Sequence, residues 1–218
     1  MYGRWTALMN YFSRILKDYF KRNIIKYIFL SLILISGIIA GSITVNFLSD
    51  IQSVNLQRYI SGFLANVNDV SVDYSSIFFL SMSNNLKTAV LLILLGLSVI
   101  GIPFILAVIL FRGFILGFTV AFLIEELGAK GLILSILSIF PQNLIILPCM
   151  ISIGVTGLTF ASTVIKNRTK RYQEDYRQVI SGYMLLNLIF SFFLVISGLI
   201  EGYISPVFIK LFSNYFSL

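Results

Sequence analysis

The sequence predicts an all-α polytopic membrane protein, and three observations carry the prediction. Hydrophobic residues make up 58% of the 218 and charged residues only 11%, whereas soluble domains run at about 25% charged. Uncharged apolar runs recur at lengths that cross a bilayer. Eleven of the sixteen bases crowd into residues 1–26 and 166–177, as the positive-inside rule arranges them around spans. The chain reads as a single membrane domain, residues 1–218, with about five crossings and a broken or re-entrant segment around residues 113–148. Its partner is first of all the lipid bilayer. The net charge of +7 fits topology and anionic lipid. No nucleic-acid partner is expected, because aromatic-interleaved basic platforms are absent.

Residues 1–26 precede the first span. Trp5, Leu8, Met9, Phe12, Leu16, Tyr19 and Phe20 recur at helical steps, with Arg14, Lys17, Lys21 and Arg22 largely elsewhere. That pattern suits a basic amphipathic helix in the cytoplasmic headgroup layer; a partner-binding or solvated helix is the alternative. A cleaved signal peptide is not expected, since the basic leader is too long and the apolar run too extended.

Tyr27–Leu48 is free of charge for 22 residues, enough to cross about 30 Å at 1.5 Å per residue. Within it Gly37-Ile-Ile-Ala-Gly41 permits close helix approach. Ser49–Lys87 is the sizeable polar connection, expected outside the cytoplasm. Leu56, Ile60, Phe63, Leu64 and Val67 keep helical spacing, so an amphipathic helix is predicted near Ile51–Asn68. Ile77–Met82 is too short to span.

The second span is placed at Thr88–Phe111, bounded by Lys87 and Arg112. Pro103 then falls in its interior and predicts a kink near Val99–Pro103, with Gly101 admitting a neighbour at the bend. Beyond it two layouts fit. In one, a short third helix runs from Gly113 to about Leu127, a half-helix follows over Gly131–Phe140, and the chain breaks at Pro141–Asn143. In the other, Gly113–Leu134 and Asn143–Ile165 form a plain hairpin. Either way Lys166, Arg168, Lys170, Arg171 and Arg177 mark a cytoplasmic loop at residues 166–177. Gln178–Ile200 then crosses outward, and residues 203–218 suit an interfacial helix outside. The N-terminus is expected in the cytoplasm and the C-terminus outside.

The candidate site residues sit in the broken block, the stretch a plain span has no need of. Unwinding a helix in hydrocarbon frees backbone groups that must find partners, so this block is expected at the centre of the bundle. Arg112 is either a flank of the second span or an intramembrane charge. A turn at Gly113-x-x-x-Gly117 could aim it inward, with Glu125 and Glu126 as counter-charges. Gln142 and Asn143, beside Pro141 and upstream of Pro148, are either caps locking two helices or polar groups of a transport site.

Enzymatic constellations fail. Histidine is absent, which removes His-dependent triads and His-based zinc sites. None of the aspartates lies in an expected span, and no phosphate-binding glycine loop occurs. The lone Cys149 allows no internal disulfide. No cofactor or metal is expected, and the chain is read as a non-enzyme.

The run Gly96-Leu-Ser-Val-Ile-Gly101-Ile-Pro103, then Arg112-Gly113-Phe-Ile-Leu-Gly117-Phe-Thr-Val-Ala-Phe-Leu123, then Ser138-Ile-Phe-Pro141-Gln142-Asn143-Leu-Ile-Ile-Leu-Pro148 resembles the stage II sporulation protein M family. The resemblance implies a membrane scaffold of the engulfment machinery of endospore-forming bacteria, located at the septal and mother-cell membrane. Its implied partners are two peptidoglycan hydrolases, stage II sporulation proteins D and P, which cut glycan strands and peptides during cell wall remodelling. It carries over no ligand-binding residue. A small transporter or channel using Arg112, Gln142 and Asn143 is the alternative. A homodimer through Gly37–Gly41 or Gly113–Gly117 is permitted by the spacing.

Overall fold

The computed structural model describes residues 17–66, 73–168 and 176–216, which are helical almost throughout and contain no strand. Most of the expected N-terminal amphipathic helix (residues 1–16) and the centre of the basic loop (169–175) lie outside the described residues. Among the described residues, five stretches are long and apolar enough to cross a membrane: Ile24–Val45, Tyr74–Gly96, Val99–Leu127, Phe140–Lys166 and Arg177–Phe212.

α1 (Ile24–Val45) is the first. Its Ile25, Ile28, Leu32, Ile35, Ile39 and Ile43 face outward and exposed, as lipid-facing residues do. α2 (Asp50–Asn66) follows where an amphipathic helix was expected.

α3 (Tyr74–Gly96) corrects the placement of the second span at Thr88–Phe111. Asp73 caps it, its carboxylate accepting from the backbone N–H of Ser75 and Ser76 and from the Ser76 hydroxyl. These bonds, the Ser76 hydroxyl foremost, hold the Asp73 carboxyl below its ordinary range. The cap lets the apolar Ile77–Met82 join the helix instead of ending a loop.

A 3-10 turn at Val99–Gly101 separates α3 from α4 (Ile102–Leu127). Pro103 therefore lies in the first turn of a new helix, where a missing N–H costs nothing. It does not kink a span. The third crossing has 26 residues in one helix, not the short segment expected, and no turn occurs at Gly113–Gly117.

Gly128, at φ 58°, turns the chain into α5 (Ala129–Ser138). That ten-residue helix is too short to cross. α6 (Phe140–Arg168) starts at once, with Pro141 in its first turn and Pro148 inside. Of the two layouts, the one with a short helix before a break is found, but the break falls at Ile139, and Pro141–Asn143 lie in the first turn of α6 rather than in a broken turn. α7 (Tyr176–Leu199) passes through a π turn at Ile200–Ile204 into α8 (Ser205–Phe216) without a break. Pro206 favours the π turn, because it has no N–H to give to the Gly202 carbonyl four residues back.

α6 is the centre of the bundle: 67% of its spanning window is buried, against 17–28% in the other four. Ile146, Ile153 and Val155 pack there on Leu30, Leu92, Ile105, Ile109 and Leu194 from the surrounding helices. α3 crosses α6 where Gly96 meets Gly157, and the Tyr183 hydroxyl of α7 donates to the Ile93 carbonyl there at 2.7 Å.

A close backbone contact joins α1 to α4. Side chains added at Gly37 and Gly41 would run into the carbonyls of Leu110 and Phe114; those added at Gly113 and Gly117 would run into the carbonyls of Leu34 and Ile38. Since Leu34 faces Gly113 and Ile38 faces Gly117, the two helices run parallel. The Ser42 hydroxyl adds a hydrogen bond to the Gly117 carbonyl at 3.2 Å. The two glycine faces whose spacing permits a homodimer meet each other here within one chain.

A second apolar cluster closes the end of the bundle away from the start of α1. Leu123, Leu134 and Phe212 form it, with Ile60 and Ile209 against them, so α2, α5 and α8 share a layer there. The end where α1 begins is called the entry end below, and the opposite one the far end.

Candidate functional site

In hydrocarbon a polar side chain must find a partner inside the protein. α3 carries Ser81 and Asn85 one turn apart on its inner face, 6% and 2% exposed. α4 brings Arg112 to the same level, near the middle of both helices. Its Nη2 donates to Asn85 Oδ1 at 2.9 Å. The Asn85 amide in turn donates to Ser81 Oγ at 3.5 Å, and the Ser81 hydroxyl donates to Glu201 Oε2. Every donation runs the same way, from cation to anion. Asn85 and Ser81 thereby bridge a charge pair whose members also attract each other through space.

The π turn places the anion. Gly202 lets the turn approach Phe78 of α3 so closely that a side chain there would strike the Phe78 backbone, and Glu201 then reaches Ser81. From the other side Ser205 donates to Gln142 Oε1 at 2.9 Å. The π turn is therefore held between α3 and the first turn of α6.

The structure thus brings two of the sequence-derived residues, Arg112 and Gln142, to opposite sides of one turn. Arg112 is not a flank of a span. Nor does it pair with Glu125 or Glu126: Glu125 is exposed, and Glu126 accepts from Ser53 of α2 at 3.3 Å. Asn143 donates to the Ile139 carbonyl at 2.8 Å across the α5–α6 break. Gly113 and Gly117 belong to the α1 contact, Gly101 and Pro103 to the turn before α4, and Pro148 to the interior of α6, where the Ser152 hydroxyl donates to its carbonyl at 2.7 Å. Sequence reasoning missed Asn85, Ser81 and Glu201. For Ser81 and Asn85 the available signal was a pair of polar residues four apart on one helical face.

A second polar cluster stands at the entry end. Lys26 donates to Asn23 Oδ1 and to Thr159 Oγ1, at 3.1 and 2.8 Å, and the Asn23 amide donates to the Tyr19 carbonyl at 3.0 Å. It fastens the chain's entry to α6. Burial pushes the Tyr19 hydroxyl well above its ordinary range, the Thr159 hydrogen bond opposing it.

Two openings adjoin these groups. The void beside Arg112 is about 10 Å³, room for one water at most. A groove of about 400 Å³ lies between α4, α5 and α6, with apolar walls including Leu116, Ile136, Phe140 and Leu147, and with Asn143 on its rim. No cluster of three or more potential metal ligands occurs among the described residues.

The family model described as Stage II sporulation protein M matches residues 30–206. No curated protein and no solved structure matches the chain.

Proposed function

Because this chain belongs to the stage II sporulation protein M family, and is thus a multi-pass membrane protein of sporulation, we propose that it is a non-enzymatic scaffold. It anchors and localises two peptidoglycan hydrolases, stage II sporulation proteins D and P, at the septal and mother-cell membrane for engulfment. The observation that carries this reading is the internal use of the polar groups. Arg112, Asn85, Ser81 and Glu201 satisfy one another, Gln142 accepts from Ser205, and about 10 Å³ is left beside the guanidinium. Such a network locks helices together and leaves room for one water at most beside Arg112.

The entry end is assigned to the cytoplasm. Lys17, Lys21, Arg22 and Lys26 precede or open α1, and Lys166, Arg168 and Arg177 flank α6 and α7 at the same end. The layer of α2, α5 and α8 then faces the wall, where hydrolases work. Purification of the tagged chain from sporulating cells tests the reading. Both hydrolases are expected to stay bound through detergent washes; their absence, with the chain intact, overturns it.

The alternative of a small transporter draws on the π turn at a charged residue, since π turns occur frequently at functional sites. Solute flux through vesicles that contain the purified chain decides between them.

A further inference from the structure

Arg112 is turned into the bundle and has its thread of partners. Lys87 is not. It stands two residues past Asn85 on α3, exposed on the outside of the bundle. Its ammonium makes no hydrogen bond or ion pair among the described residues, and neither does the side-chain amide of Asn84 one turn earlier. Around them the same face is apolar and exposed, with Phe79, Leu80, Leu91 and Leu94.

We propose that this face of α3, centred on Lys87 and Asn84, is the docking surface for a transmembrane helix of a partner protein that carries a carboxylate near mid-span. The proposal rests on the scaffold reading and gives it a surface.

Depth is the first argument. Gly113 abuts Leu34, the middle of α1, and Arg112 beside it reaches Asn85, the middle of α3. Lys87 is about 3 Å further toward the entry end, and about 14 Å of helix separates it from Gly96. The Cα–Cβ bond of a helical residue tilts toward the helix N-terminus, here back toward the middle of the bilayer. The stem is thus aimed away from the nearer headgroups, and a bare ammonium at that depth is unfavourable.

Charge is the second argument. A carboxylate on a partner helix completes the ammonium, Asn84 can bond the same group, and the four apolar side chains supply the packing on either side. A second copy of this chain does not fit. Among the described residues, Asp18 lies before α1 at the entry end, Asp50, Asp73, Glu125 and Glu126 lie at the far end, and Glu201 is engaged by Ser81.

The test uses the full chain in phosphatidylcholine vesicles, with a photo-crosslinking residue at Leu91 and, as a control, at Ile39 on α1. The probe is a single-span polyleucine helix with one central Asp, beside twins with Asn or Leu. At alkaline pH the Asp helix is expected to cross-link at Leu91 at least about threefold more than the Leu helix. The gain should vanish in Lys87→Gln and return when Lys87→Glu meets a helix carrying Lys. Yields at Ile39 should not depend on the probe. Equal yields from the Asp and Leu helices overturn the proposal. So does an Asp yield unchanged in Lys87→Gln, the result if the lysine reaches lipid headgroups instead.

Removing an exposed charge should leave abundance intact, so Lys87→Gln also serves in sporulating cells. Hydrolases held equally by wild type and Lys87→Gln would overturn the surface and leave the scaffold reading standing. Hydrolases absent even from wild type, while the Asp helix still binds at Leu91, would remove the scaffold reading and support the surface.

Discussion

Arg112 on α4 donates to Asn85 on α3 at 2.9 Å, near the middle of both helices. Through Ser81 that contact ends on Glu201, 89 residues further along the chain than the arginine. A buried charge left without its counter-charge is strongly unfavourable, typically about 3–5 kcal/mol. Arg112→Met and Glu201→Gln should each destabilise the bundle by roughly that amount. The double variant should lose less than the sum. Unfolding in detergent micelles measures all three, and a neutral Arg112→Met would show that the thread holds nothing together.

The α1–α4 contact is tighter than glycine spacing alone implies. From the sequence, Gly117→Ala is tolerable and Gly117→Leu is not. In the structure even a methyl group meets the Ile38 carbonyl, a backbone atom that cannot swing away. Gly117→Ala is therefore expected to cost about 1–3 kcal/mol. Gly182→Ala, with nothing within 4 Å, should gain up to about 1 kcal/mol from helix propensity. Equal melting of the two variants would refute the close contact.

Gln142 and Asn143 act on different neighbours. Gln142→Ala leaves the buried Ser205 hydroxyl without its acceptor, at a cost of about 1–3 kcal/mol, and loosens the π turn. Asn143→Ala removes only the bond to Ile139, worth about 0.5–1.5 kcal/mol. Membrane abundance and hydrolase retention should fall together, more in Gln142→Ala than in Asn143→Ala. Full abundance with lost solute flux in either variant would place the residue in a transport path.

Orientation can be read by labelling in a Cys149→Ser background. Gln178 and Ser75 are exposed at opposite ends of the bundle. With impermeant maleimide on intact cells, Ser75→Cys should react and Gln178→Cys should not. The reverse pattern would invert the topology.

The fold class was legible because lipid solvates the outside of the bundle, so apolar runs report spans directly. Helix boundaries were less so. A charge reads as the end of a span, so Lys87 and Arg112 read as the borders of one helix, whereas each lies inside its own, begun at Tyr74 and at Ile102. The Asp73 cap and the favourable place of Pro103 in a first turn were the signals against that reading. Glycine spacing in α1 and α4 announced close contacts without saying with whom. The Arg112 counter-charge was beyond reach, because Glu201 lies past the expected end of the last span and is carried inward by a π turn. Nothing local to Glu201 distinguishes it from a solvated acid.

Scaffold and transporter differ most directly in a single reconstitution. The purified chain is placed in vesicles loaded with a small fluorescent solute, and the two hydrolases are added with their membrane segments. The scaffold account predicts saturable retention of both hydrolases and leakage no faster than from vesicles without the chain. Leakage that stops in Arg112→Met, with no retention of either hydrolase, would contradict it.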